Sequence, residues 1–185
     1  MDTRKQNEKL RKLVTAAVCA GMLCGGGPIS IPVGPGPIAL TNLALFFLTF
    51  VAGTGTAVTA CAIYLLLGFA GVPVFAGFSG GAHVLFGPTG GYLIGYIPMI
   101  LVMGPFVSRY PERRALCTLV TFCATMVLYA IGTVWYMAVT GSGAAAALIT
   151  CVLPFAAEDF LKGLLAAVAA PGLARRIKTA VRADS

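Results

Sequence analysis

The chain has 185 residues, 58% of them hydrophobic and 10% charged, with a mean hydropathy of +0.91 and a formal net charge of +7. These values exclude an ordinary soluble domain: no Asp, Glu, Lys or Arg occurs in the 96 residues from Leu13 to Ser108, a surface that water could not keep in solution. The basic balance does not point to nucleic acid either, because twelve of the thirteen Lys and Arg residues sit in three short blocks flanking apolar runs, the arrangement that orients a protein in a lipid bilayer with its cationic segments in the cytoplasm.

The first block, Arg4, Lys5, Lys9, Arg11 and Lys12, precedes an apolar run. It resembles a signal peptide, but Leu23 stands before Cys24 where a lipoprotein site wants a small residue, so an uncleaved first span is expected. Within it Ala16 and Ala20, and likewise Ala17 and Gly21, are spaced as small-x3-small pairs that permit close helix contact, inside the bundle or with an outside partner.

The second block is Arg109, Arg113 and Arg114, and the third is Arg175, Arg176, Lys178 and Arg182. If all three blocks face the cytoplasm, an even number of spans separates each from the next. At about 20 residues per span, the 96 uncharged residues hold four, and the 60 between Arg114 and Arg175 hold two. The expectation is an all-α integral membrane protein, one membrane domain over residues 1–185, built as a bundle of six transmembrane helices with both termini cytoplasmic. The breakers place the spans at Leu10–Gly25, Ile38–Ala52, Thr56–Ala70, Pro88–Val107, Ala115–Val139 and Ala147–Ala170. The second and third share 33 residues around Gly53-Thr54-Gly55 and must be short, tilted or partly re-entrant.

Two long outer segments, 26–37 and 71–87, are uncharged and rich in glycine. With Val33, Phe75 and Phe78 as apolar anchors they suit lids over a membrane cavity, the alternative being solvated connectors. His83, the single histidine, reads as a loop or rim residue rather than a catalyst, since no serine or cysteine nucleophile is placed beside it. "FGPTGGYLIGY" then sets Gly87, Gly91 and Gly95 at intervals of four, a row for helix packing. No Gly-Lys-Ser or Gly-Lys-Thr follows, so it is not a phosphate-binding loop. Trp135, Tyr92, Tyr96 and Tyr136 are interfacial anchors or pocket walls. The six cysteines lie scattered in apolar segments with no CxxC and read as small buried hydrophobes, without a disulfide framework or a metal site.

The last span carries the strongest signal. "PFAAEDFLKGLLAAVAAP" buries Glu158, Asp159 and Lys162 in an apolar run, where each charge costs about 2.5–3.5 kcal/mol. Lys162 is three residues from Asp159 and four from Glu158, so both carboxylates are within helical reach, although only one is expected to share its direction into the bundle. A helix starting near Pro154 puts the carboxylates in its first turns, where its dipole favours anions, toward the outer surface. Carboxylates accept N–H donors and an ammonium binds a carbonyl or carboxylate, so the pair suits a small polar solute carrying both kinds of group, or else a neutralised pair that fixes the helix's rotation.

"GFAGVPVFAGFSGGAHVLFGPTGGYLIGY" followed much later by "LPFAAEDFLKGLLAAVAAP" resembles the BioY family, the biotin-specific substrate-binding (S) components of energy-coupling factor (ECF) transporters. The resemblance covers essentially the whole chain. It implies a six-helix bundle in the plasma membrane of a bacterium or archaeon. The bundle would bind biotin from outside and associate with a transmembrane coupling protein and two cytoplasmic ATPases, with no cofactor of its own. The family's Asp-x2-Lys motif, linked to biotin binding, falls on Asp159 and Lys162. Glu158 precedes it where other members often carry a small residue, which leaves its role open. A family loop that presents a polar ligand contact corresponds to Ala76, Gly77 and Phe78; Gly77 has no side chain, so contact there falls to its backbone or to Ser79. Biotin's apolar parts want apolar walls, for which Phe75, Phe78 and Tyr92 are candidates. The Ala16-x3-Ala20 face resembles the family surface that docks on the coupling protein.

Three other readings stand beside this one: a proton-coupled or partner-independent carrier using Asp159 or Glu158, an intramembrane enzyme using the same carboxylates as general base, and a non-transporting assembly protein held by its small-x3-small faces.

Overall fold

The computed structural model describes residues 3–33 and 36–183. Eight α-helices follow one another: α1 (Thr3–Gly26), α2 (Thr41–Ala52), α3 (Thr54–Phe69), the single turn α4 (Ala82–Leu85), α5 (Gly90–Arg109), α6 (Arg114–Thr140), α7 (Ala144–Cys151) and α8 (Leu153–Ala183). A 3-10 turn, Ala76–Phe78, lies between α3 and α4. Among the described residues α5 and α6 are each long and apolar enough to cross a membrane, and α7 with α8 makes a third such unit bent by 43°. α2 and α3 are shorter apolar helices.

The structure departs from expectation in three places. The segment 26–37 is not irregular throughout: Ser30–Val33 (β1) and Gly36–Ala39 (β2) pair antiparallel, with Ser30 opposite Ala39 and Ile31 opposite Ile38, so the helix of the expected span Ile38–Ala52 starts only at Thr41. A two-stranded ribbon needs only one hydrogen-bonding edge per strand, which is why it accommodates Pro32 opposite Pro37. The side chain of Val33 lies outside the described residues. Second, the expected span Ala147–Ala170 is divided at Val152 into α7 and α8. Pro154 explains the break, since its ring clashes with the carbonyl four residues back and it donates no hydrogen bond; it sits in the first turn of α8, where neither matters. Third, Gly87 stands outside α5, so the row of three glycines is a row of two on the helix.

Gly91 and Gly95, both buried, let α5 approach α6 closely. A Cβ at Gly91 would collide with the side chain of Trp135, and one at Gly95 would lie 2.8 Å from Leu128 Cδ1. In return Gly132 of α6 leaves room for the ring of Tyr92. Without a hydrophobic force between helices in lipid, such close van der Waals contact is what holds the pair. At the other short connection, Gly53 adopts φ +82°, a left-handed conformation costly for other residues, and turns the chain from α2 into α3.

α8 packs against α2 and α6, α5 against α3 and α6, and α1 against α3. The core they enclose includes Leu45 and Phe46 of α2, Ala60, Cys61 and Tyr64 of α3, and Met99, Ile100 and Met103 of α5. Polar residues within these apolar helices turn back on their own backbone: Thr49 donates to Leu45 O (2.7 Å) and Thr125 to Thr121 O (2.9 Å). The small-x3-small pair Ala16 and Ala20 of α1 packs inside the chain. Ala16 and Ala20 are 1% and 2% exposed, and Ala20 joins the core cluster with Ala57, Ala60 and Cys61 of α3. That face is therefore covered by the chain's own α3 rather than open to a partner, while Ala17 and Gly21 lie on the exposed side.

Candidate functional site: a buried charge cluster beneath the outer loop

Helical spacing in α8 brings Glu158, Asp159 and Lys162 onto one wall of a cavity of about 360 Å³. Asp159 and Lys162 are 5% and 8% exposed. The Lys162 ammonium contacts Glu158 Oε1 directly and lies 3.7 Å from Asp159 Oδ1. Both carboxylates therefore share the lysine, where one was expected to turn away. A buried charge pair holds only when its remaining hydrogen-bonding positions are filled, and for Asp159 two other helices do this. Asn42 Nδ2 of α2 donates to Asp159 Oδ2 at 2.9 Å, and the Tyr129 hydroxyl of α6 donates to the same oxygen at 2.7 Å. Oδ2 is thus engaged by two donors, and Oδ1 faces Lys162 and the cavity. Glu158 Oε2 is buried with no hydrogen-bond partner among the described residues.

The remaining walls are largely apolar or aromatic: Val84, Leu93 and Leu128, with Phe75, Phe155 and four tyrosines, Tyr92, Tyr96, Tyr129 and Tyr136. Tyr92 is oriented by a 3.1 Å hydrogen bond between its hydroxyl and that of Thr133. The outer segment 71–87 supplies one side through Phe75, Ala76, Ser79 and Val84. It is tied down at several points. Phe75 is buried edge-on against Tyr64, centroids 5.4 Å apart. Its N–H bonds to Ser79 O (2.9 Å), the Ser79 hydroxyl to Ala76 O (2.8 Å), and Gly81 N–H to Gly68 O (2.6 Å). At the far end the Trp135 indole donates to Gly87 O at 3.0 Å. Such anchoring makes this segment a wall over the cavity.

Of the residues singled out in the sequence, Asp159, Lys162, Glu158, Phe75, Ser79 and Tyr92 come together here, as do Tyr96 and Tyr136. Gly77 and Phe78 do not: Gly77 (φ +68°) and Phe78 (φ +57°) form a left-handed tip, Gly77 N–H bonds to Pro28 O at 3.2 Å, and Phe78 is 71% exposed. His83 is exposed and away from the lining, and Trp135 packs on Gly91 behind the wall. Asn42 and Tyr129, the two donors to Asp159, were not anticipated. Asn42 did leave a signal, being the one side-chain amide between Leu13 and Ser108. Tyr129 left none, since a tyrosine inside an apolar helix is ordinary.

A predominantly helical membrane fold with a largely apolar cavity and a buried charge cluster on one wall is the arrangement of a membrane protein that binds small solutes. The comparisons sharpen that class. The model of the BioY family matches residues 1–179, and the chain belongs to this family. It is similar to the biotin transporter BioY of Thermotoga maritima, 37% identical over 157 residues covering 84% of this chain and 81% of that one. It is likewise similar to the biotin transporter BioY2 of Lactococcus lactis subsp. cremoris, 34% identical over 176 residues covering 93% and 94%. A crystal structure of the S-component for biotin from an ECF-type ABC transporter superposes with a TM-score of 0.82 over 91% of this chain and 93% of that one; at 24% identity it speaks for the fold. The chain is a multi-pass membrane protein.

Proposed function

We propose that this chain takes up biotin: it captures the vitamin in the cavity walled by α8 and delivers it across the membrane as the S component of an ECF-type transporter. The observation that carries this reading is the buried Asp159–Lys162 pair, held by Asn42 and Tyr129 at the edge of an otherwise apolar cavity. Biotin offers matching groups. Its ureido N–H donors suit Asp159 Oδ1 and Glu158 Oε2, its carbonyl or carboxylate suits the Lys162 ammonium, and its ring and chain suit the aromatic walls. Because Asp159 and Lys162 are already paired, binding does not require burying an isolated ion at that pair, and selectivity follows from donors and acceptors that a wrong solute would leave unpaired.

In this reading the polypeptide is one membrane domain with six spans, both termini in the cytoplasm, in the plasma membrane of a bacterium or archaeon. Contacts within the fold support that layout. Thr54 at the start of α3 sits against Gly104 near the end of α5, and Tyr129 and Thr121 of α6 meet Asp159 and Gly163 of α8. The basic block at Arg11 and Lys12, which faces Ala52 and Thr56, therefore shares one end of the bundle with Arg109 and Arg114, opposite the cavity. A binding subunit of this kind has no energy source, so release at the inner face is driven by a coupling protein and two ATPases, which must bind the loaded and unloaded states differently to shift the equilibrium. The protein is a binder and not an enzyme. Since Ala16 and Ala20 are covered by α3, docking of the coupling protein uses other surface in this conformation.

The test is equilibrium binding of labelled biotin to the purified chain in nanodiscs, beside Asp159→Asn and Lys162→Ala. Saturable binding lost in both folded variants supports the reading; absence of binding by the natural chain overturns it. The unpartnered Glu158 Oε2 favours one second reading, a proton-coupled carrier. That reading requires uptake by proteoliposomes lacking any ATPase, driven by a pH gradient and lost in Glu158→Gln.

A further inference from the structure

At the end of the bundle opposite the charge cluster, a second cavity of about 290 Å³ opens between α1 and the α2–α3 turn, lined by Arg11, Lys12, Thr15, Ala52 and Thr56. The transport reading uses none of these residues. Among the described residues two cations and two hydroxyls line the cavity and no acidic residue does. Neither Arg11 nor Lys12 is ion-paired to another described residue, and the Thr56 hydroxyl has no hydrogen bond to one. Thr15 is committed as a donor, its hydroxyl bonding to Arg11 O at 2.8 Å. Behind Thr56 the first backbone hydrogen bond of α3 runs from Ala57 N–H to Gly53 O, so the amides before it lie ahead of the helical ladder at the positive end of a 16-residue helix. On the outer side of α1, next to the two cations, Leu10, Leu13 and Val14 are 61%, 59% and 55% exposed.

We propose that this cavity holds the phosphate of an anionic glycerophospholipid, with the acyl chains lying along the exposed apolar side of α1. The phosphodiester oxygens supply the acceptors that the guanidinium, ammonium and hydroxyl lack, and a guanidinium can grip two of them at once. A basic recess between transmembrane helices at the cationic side of a bundle is where lipid headgroups bind. The adjoining strip of leucine and valine favours a lipid over a soluble phosphate ester, which would leave that strip without an occupant of its own. Such a lipid would pin α1 to the α2–α3 turn, joining two elements on which the core packing of α1 depends. This inference does not rest on the identity of the transported solute.

Native mass spectrometry of the purified chain in detergent tests it, with dioleoylphosphatidylglycerol, dioleoylphosphatidylcholine and sodium phosphate as probes. The expected result is retention of the phosphatidylglycerol about 30-fold over the phosphatidylcholine, as two cations at the membrane surface would give. The preference falls to parity in Arg11→Gln/Lys12→Gln and persists in Arg4→Gln/Lys5→Gln, which removes the same charge nearer the N-terminus. Equal retention of the two lipids by the natural chain overturns the proposal. So does a preference that survives Arg11→Gln/Lys12→Gln, or one that Arg4→Gln/Lys5→Gln abolishes equally. Displacement of the lipid by millimolar phosphate also overturns it, assigning the cavity to a soluble phosphate. Circular dichroism and gel filtration establish that the variants are folded. If the double variant is not, Thr56→Val decides: because its hydroxyl meets the phosphodiester itself, retention of phosphatidylglycerol reduced about two- to threefold is expected, and unchanged retention contradicts the proposal.

Discussion

The two ends of this bundle use charge in opposite ways. At the cavity end three ionisable groups are drawn inside and held against one another, with two neutral donors, Asn42 and Tyr129, on Asp159. At the other end Arg11, Lys12, Arg109, Arg113 and Arg114 lie at the surface, and the guanidinium groups of Arg109 and Arg113 rest 5.8 and 5.4 Å from the ring centre of Tyr110. Burial is what separates them. In a medium that screens poorly, each partner of the inner cluster depends on every other, whereas surface charges are buffered by water and salt and act mainly on topology and lipids.

That contrast is broken most severely at the ion pair. Lys162→Ala leaves the buried Asp159 and the half-buried Glu158 without their cation, and removing one partner of a buried pair costs about 3–5 kcal/mol. Biotin affinity should fall by at least two orders of magnitude in equilibrium binding, and thermal unfolding should come at a lower temperature. Tyr129→Phe is gentler, removing only one donor to Asp159 Oδ2; at about 1.5–3 kcal/mol for a hydrogen bond to a charged group, affinity should drop at least tenfold while Asn42 still holds the carboxylate. Gly91→Val tests the seam that carries no charge. The added side chain meets Trp135, and overpacking of about 1–3 kcal/mol should lower the unfolding temperature in detergent by several degrees. At the small end, Arg109→Gln alters an exposed charge and should change stability by less than about 0.5 kcal/mol, with biotin binding unaltered in the same assay. A large effect of Arg109→Gln on binding would contradict the division between the two ends.

Asp159, Lys162 and Glu158 were legible because a charge inside an apolar run has few innocent explanations. Their spacing put both carboxylates within helical reach of Lys162, while the structure turns both toward it where one was expected to point away. What α8 faces was not legible, because Asn42 and Tyr129 are 117 and 30 residues from Asp159 in the chain and meet it only through the packing of α2, α6 and α8. The small-x3-small pattern at Ala16 and Ala20 announced close contact but not with whom; both an inner and an outer partner satisfy the same spacing, and the fold chose α3. The strand pair in 26–37 was hidden by its glycines and prolines, which read as turn formers, and the bend at Val152 was foreshadowed by Pro154 without being separable from a helix start.

Trp135 is the one tryptophan of the chain. Its indole bonds to the carbonyl of Gly87, immediately before Pro88 and Thr89 of the cavity wall, and its side chain packs on Gly91, next in the chain to Tyr92 of that wall. The molecule thereby carries its own optical probe, a single indole joined to the junction between segment 71–87 and α5. Filling or emptying of the cavity can be followed in real time from the colour and intensity of its fluorescence, without attaching anything to the protein or the solute.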